Sequence, residues 1–248
     1  MSGRRDFLKI AGTSLLGLGA GLPAAASGLH RAEPDPDAGP RWAMVIDTRK
    51  CSDEDFAACT EACHKAHNVP DVPDEALEVK WIWEEEFPNA FPAQVHPWTA
   101  DELVDSHVLV LCNHCERPPC VRVCPTQATY KAENGIVTMD MHRCIGCRYC
   151  VAACPYGSRS FNWSDPREHL DEVNPDYPTR TKGVVEKCNF CAERLAKGQQ
   201  PACVEVSDAL YFGDLNDPES EVSQLLRTNN TIRRKPALGT DPHIFYIV

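Results

Sequence analysis

Positive charge is in short supply: the 248 residues carry 25 Lys and Arg against 36 Asp and Glu, a formal net charge of −11. Nucleic acid is recognised by a concentrated positive surface, so that class of partner is excluded. An acidic face turned toward a basic protein stays open. Catalytic signatures are missing as well. The chain offers no Ser-His-Asp set, no phosphate-binding loop and no GxGxxG beside a strand, and therefore no substrate site of its own. Long apolar runs are absent too, because the stretch from Ile10 to Leu22 is too short and too glycine-rich for a membrane span. What is abundant is cysteine. Fourteen thiols in one chain are disulfides, metal ligands or an oxidation hazard, and their spacing decides between these. With 43 % apolar residues, the chain buries a real core in one or two compact domains.

The amino terminus predicts export. Arg4 and Arg5, followed by Asp6-Phe7-Leu8-Lys9, the apolar run to Leu22 and the small residues Ala24 to Ala26, form a twin-arginine signal. That route carries proteins already folded around a cofactor, so the expected location is the periplasmic or extracytoplasmic face of a membrane.

Two cysteine groups have ferredoxin spacing. "CNHCERPPCVRVCP" holds Cys112, Cys115, Cys120 and Cys124 as C-x2-C-x4-C-x3-C, and "CIGCRYCVAACP" holds Cys144, Cys147, Cys150 and Cys154 as C-x2-C-x2-C-x3-C, each followed by Pro. In the bacterial ferredoxin run three thiolates bind one [4Fe-4S] cube and the fourth crosses to its neighbour. Thiolates suit the soft iron of a sulfide cluster, and the C-x2-C turn brings two sulfurs to one cube. A zinc ribbon would need only two C-x2-C pairs and leaves the third and fourth Cys unexplained. One cube is therefore assigned to Cys112, Cys115, Cys120 and Cys154, and the next to Cys144, Cys147, Cys150 and Cys124.

The last group, Cys188, Cys191 and Cys203, reads C-x2-C-x11-C, with Ser207 where a fourth Cys would complete it. The first group, in "KCSDEDFAACTEACH", has Cys51, Cys59 and Cys63 at widened gaps. If the first motif pairs with the last, Cys63 completes a third cube with Cys188, Cys191 and Cys203. A fourth would have only Cys51 and Cys59, so twelve cysteines hold three clusters and two are left over. Those two are expected as a disulfide. Free thiols and a metal site using His64 or His67 are the alternatives. "CTEACH" differs from a haem attachment motif by one residue, and Cys63 is already committed. Arg143, Arg148 and Lys187 stand beside cysteines and offset cluster charge or form a solvated face.

The expected fold class is α+β, with two ferredoxin-like halves related by pseudo-symmetry. "RWAMVIDTRK", "HVLVLC", "GIVTMD" and "KGVVEKC" are strand candidates, each leading to a cysteine loop and a short helix. Residues 1–29 form the signal and 30–42 a linker. Residues 43–70 join 183–213 in the half with one cluster and a vacant site, while 105–160 hold two clusters. Residues 71–104 are an aromatic insertion and 161–182 a surface insertion. The tail, residues 214–248, is expected to dock on a membrane partner together with the aromatic insertion, the alternative being that both segments cover the protein's own core.

"MHRCIGCRYCVAACPYGSRSFNW" and "EKCNFCAERLAKGQQPACVE" resemble the four-motif periplasmic iron-sulfur subunits of membrane oxidoreductases, such as the polysulfide, dimethyl-sulfoxide and formate-dependent nitrite (NrfC) types. "DTRKC", "CHKAHNVPD" and "YFGDLNDPESEV" are most similar to the DsrO type of the Dsr membrane complex of dissimilatory sulfur metabolism. The resemblance implies an electron-transfer subunit with these partners: a quinone-reactive NrfD-type integral membrane subunit (DsrP-like), a triheme cytochrome c (DsrJ-like), a cytochrome b and a heterodisulfide-reductase-like subunit. The alternative is the electron-transfer subunit of a molybdopterin polysulfide or thiosulfate reductase.

Overall fold

The computed structural model describes residues 39–248, so the twin-arginine signal and most of the linker lie outside the described residues. The first predicted strand forms over Trp42–Asp47 (β1), but it leads into a helix, Asp53–His67 (α1), and not into a cysteine loop. The cause is local. Ser52 and Asp55 make a reciprocal capping box, Asp53, Glu54 and Asp55 sit at the positive end, and His64, Lys65 and His67 sit at the negative end. No Gly or Pro interrupts the fifteen residues between.

The chain continues through β2 (Ile82–Glu86), α2 (Phe87–Ala90), α3 (Asp101–Val104), β3 (His107–Leu111), α4 (Pro119–Arg122), β4 (Thr129–Lys131), β5 (Val137–Met139), α5 (Tyr149–Ala153) and β6 (Ser160–Phe161). It then forms β7 (Val185–Glu186), α6 (Ala192–Leu195), α7 (Ala202–Glu205), β8 (Leu210–Asp214), α8 (Glu221–Thr228), β9 (Thr231–Ile232) and β10 (Ile244–Ile247). The fold is α+β. Helix α4 packs on α5 beside the antiparallel β4–β5 pair, and α1 packs on α7 beside the antiparallel β1–β8 pair. The β1–β8 pairing brings the first and last cysteine segments together.

The tail and the aromatic insertion both supply residues to the core. The tail supplies β10, which lies parallel to β1 in a sheet of order β8-β1-β10-β9, with Ile244, Tyr246 and Ile247 at 0–1 % exposure. Strand alternation explains this: Met44 and Ile46 face the main core, while Ala43 and Val45 meet Val222 of α8 on the other side. In the insertion, β2 pairs with β3, and Trp81, Trp83, Phe87 and Phe91 are buried; Trp98 alone of its five large aromatics is exposed. Apolar composition demanded cover, and the protein's own sheet provides it.

The second insertion is likewise tied in. Buried Arg180 pairs with Glu186 at 2.5 Å and donates to the carbonyls of His67 and Asn68, satisfying the end of α1. Trp81 Nε1 and Asn162 Nδ2 complete the Glu186 carboxylate at 3.0 and 2.5 Å. Among the described residues no helix is long and apolar enough to cross a membrane.

Candidate iron-sulfur centre

The opening C-x2-C loops of the last three cysteine groups bend in the same way. The residue before each second Cys is left-handed: His114 (φ 40°), Gly146 (φ 69°) and Phe190 (φ 56°). Alternating backbone handedness turns successive N–H groups inward and makes a nest for an anion. Phe190 N–H accordingly points at Cys188 Sγ and Ala202 N–H at Cys191 Sγ, both at 3.4 Å. Gly146 is required twice over, because a Cβ there would also lie 2.5 Å from the Gly183 carbonyl oxygen.

The thiols gather accordingly. Cys63, Cys188, Cys191 and Cys203 line one apolar cavity with Met44, Trp81 and Phe190. All four are buried, and burial together with their mutual proximity pushes the Cys63 and Cys203 thiols well up. Cys115 is driven up to about 12 by burial and by Cys112, with Cys120 and Cys154 also acting on it. Cys150 neighbours Cys144 and also Cys120. Cys124, Cys144 and Cys147 are half-buried. Cys188 is raised by burial and then by Cys112, which places the Cys188 group next to the Cys112 group.

Ser207, where a fourth Cys would complete the last motif, is bonded within the protein. Ser207 Oγ donates to Asp55 Oδ1 at 2.6 Å and accepts from Ala209 N–H at 3.2 Å. Asp55 is thereby held below the usual carboxylate range, by Ser207 first and Ser52 second. Cys59 is buried on α1 and donates to the Cys203 carbonyl at 3.3 Å. Cys51 lies before the helix cap, raised to about 12 by burial. Cys59 adds to the rise of Cys51, so the two thiols are neighbours across the Ser52 cap.

His67 does not join Cys51 or Cys59. Its Nδ1 donates to the Cys63 carbonyl at 2.9 Å, its Nε2 meets Glu193 at 2.8 Å, and its ring stacks on Trp81. Burial opposes its charge, but Cys191 and Glu193 outweigh burial and raise it to about 9. It thus tethers α1 to α6. His64 is partly buried, and its Nε2 has no partner.

Sequence spacing did not point to several groups around the Cys112 loop. Thr240 of the tail acts on Cys115 and bonds Tyr156, while Asp241 and Thr240 carbonyls take the Glu116 and Arg117 N–H groups. Their signal would have been contact across the chain, which spacing does not carry. Of the flagged cations, Arg143 is exposed and pairs with Asp140, Arg148 lies over Phe161 and Trp163, and Lys187 is buried.

This donor set fits [4Fe-4S] clusters. The ligands are soft thiols in left-handed nests, and Asn113 Nδ2, His114 Nε2 and Arg159 Nη2 are buried without partners in the protein. A cube held by four such thiolates takes up and releases single electrons. The comparisons agree. Residues 106–169 match the model of the 4Fe-4S dicluster domain. The chain is 45 % identical over 229 residues to the Hdr-like menaquinol oxidoreductase iron-sulfur subunit 1 of Archaeoglobus fulgidus, covering 83 % of this chain and 82 % of that one. The chain belongs to the family of iron-sulfur subunits of multi-subunit oxidoreductases. Two further relatives, each 37 % identical and covering 84 % of this chain, are the menaquinone reductase iron-sulfur cluster-binding subunit of Nitratidesulfovibrio vulgaris and the B subunit of polysulfide reductase from Wolinella succinogenes. This chain spans 88 % and 94 % of their lengths. Members of this family transfer electrons.

Proposed function

We propose that the chain is a DsrO-type subunit that passes single electrons through three [4Fe-4S] clusters. The route joins a quinone-reactive NrfD-type membrane subunit and a c-type cytochrome in dissimilatory sulfur metabolism. The observation that carries this reading is the uninterrupted α1 with its Ser52, Asp55 and Ser207 bonds, which takes the space and ligands of a fourth cluster. Two half-structures are supported by the parallel roles of β4–β5 with α4–α5 and of β1–β8 with α1–α7. The order of neighbours supports a line: closed site, Cys63 group, Cys112 group, Cys144 group.

The two ends of that line differ. Around the Cys144 group, Ile145 and Tyr149 are 67 % and 61 % exposed, an apolar rim suited to the membrane subunit. The quinone partner is favoured by the menaquinol and menaquinone relatives. With the fourth site closed, the relay to a molybdopterin subunit at that end is shortened by one cluster. That second reading rests on the polysulfide reductase relative. The location follows the twin-arginine signal and is the extracytoplasmic face.

Anaerobic purification of the complex tests both. About 12 iron atoms per chain and stoichiometric c-type haem are expected. A reproducible 16 iron atoms would refute the count, and molybdenum in place of haem would transfer the chain to the second reading.

A further inference from the structure

Three buried cations have no carboxylate: Arg159, Lys187 and Arg234 are 4 %, 2 % and 3 % exposed, and among the described residues none makes a salt bridge. Arg234 lies over the Tyr156 ring and donates to the Ala90 carbonyl, which leaves Arg159 and Lys187 to account for. Arg180 shows what the fold does with an ordinary buried cation, since it meets Glu186 directly. Leaving a buried charge uncompensated is strongly unfavourable, so a negative charge other than a side-chain carboxylate must answer both.

Their positions identify it. Arg159 Nη1 donates to Thr129 Oγ1 at 3.1 Å and reaches Met139 Sδ at 3.8 Å, which pins the guanidinium on the β4–β5 pair. Nη2 is left without a partner, and the groups acting on this side chain are Cys120, Cys150 and Cys112. Cys120 belongs to the Cys112 group and Cys150 to the Cys144 group. Lys187 Nζ donates to the Cys188 carbonyl at 2.6 Å and to the Val137 carbonyl, using two of its three protons. It therefore lies between the Cys188 loop and the strand whose Val137 N–H donates to His114 of the Cys112 loop.

We infer that Arg159 and Lys187 are positioning residues, one at each junction between neighbouring cluster sites, and that each raises the reduction potential of the two clusters it separates. The physics has one sign. Reduction adds a negative charge to a cluster that its four thiolates already make anionic, and a fixed cation in a poorly screened interior favours that step. The middle site, held by Cys112, Cys115, Cys120 and Cys154, feels both cations. The bland alternative is that both side chains only tether the β4–β5 pair.

This inference rests on the three-cluster proposal, and wild-type protein separates the two. Three EPR-visible reduction steps in anaerobic holoprotein are required first; a different number fails that proposal without reference to either cation. Signals are assigned with Cys63→Ala and Cys124→Ala, which each remove or alter one. Redox titration of Arg159→Met should then lower the midpoints of the Cys112 and Cys144 clusters and leave the Cys63 cluster in place. Lys187→Met should lower the Cys112 and Cys63 clusters and spare the Cys144 cluster. Arg159→Lys and Lys187→Arg should restore most of each shift. Iron retained with no shift, or with an equal shift of all three, overturns the inference. If Arg159→Met loses iron, Arg159→Gln is titrated instead; loss of iron in both also overturns it, in favour of the tether.

Discussion

Removing β10 should unfold the protein rather than detach it from a partner. Ile244, Tyr246 and Ile247 are all at most 1 % exposed, and full burial of such a side chain contributes about 1.5–3 kcal/mol. The three together approach roughly 5–9 kcal/mol, against about 5–15 kcal/mol for a whole domain. Deletion also strips β1 of its parallel neighbour and leaves His243, whose N–H donates to the Asn113 carbonyl in the first ferredoxin-type loop, as the chain end. The single substitution Tyr246→Ala is the measurable form. Its ring meets Phe91 edge-on at 4.8 Å, and loss of a buried aromatic costs about 3–5 kcal/mol. For a domain of this size each kcal/mol moves Tm by about 2–4 °C, so a fall of roughly 6–20 °C is expected. The assay is thermal unfolding of anaerobic holoprotein by circular dichroism, with iron counted before and after. A chain truncated before Ile244 that keeps its iron and its wild-type Tm, yet no longer sediments with membranes, would refute this argument and return the tail to a docking role.

The other expectations concern the sites. Gly146→Ala adds about 1–2 kcal/mol of left-handed strain and a clash with the Gly183 carbonyl, so iron should fall by about four atoms per chain; unchanged iron would contradict it. Cys63→Ala should also cost about four iron atoms, since Cys63 shares a cavity with Cys188, Cys191 and Cys203, and a variant keeping every cluster would break that assignment. Ser207→Cys should leave iron unchanged, because α1 runs unbroken from Asp53 to His67 where a cysteine loop would be needed; a gain toward 16 atoms would show that a loop can form there. Arg180→Met strands Glu186 in the core and should cost about 3–5 kcal/mol in urea titration, with part recovered by adding Glu186→Gln.

Cysteine spacing carries the chemistry because C-x2-C geometry is local: the left-handed residue before the second Cys repeats at His114, Gly146 and Phe190. The strands before Cys51, Cys112, Cys144 and Cys188 are legible for the same reason, as short apolar runs. The first motif misleads although its signals are present. Ser52 followed three residues later by Asp55 is a cap, but three cysteines at odd intervals look like a damaged loop. Tail and insertion are illegible in another way. Apolar side chains announce that something covers them, and only the register of β10 on β1 and of β2 on β3 says what does. Burial of Arg159 and Lys187 is beyond the sequence altogether, since their surroundings come from segments distant in the chain.

In the proposed wire the fourth position is closed, which changes how electrons reach it. At one end, Cys144 and Cys147 are half-buried beside exposed Ile145 and Tyr149, so a carrier pressed against that rim comes close to the ligands themselves. At the other end, Cys63, Cys188, Cys191 and Cys203 are only 5–8 % exposed, and α1 and α7 cover them. Between these helices and the 172–175 loop lies a groove containing Ala62, Lys65, Val173 and Val206, with both valines about half exposed. A donor or acceptor at that end must therefore bring its own redox centre over this groove. In the three-cluster proposal the capped α1 puts this contact on α1 and α7, so the two proposed ends of the wire present different faces.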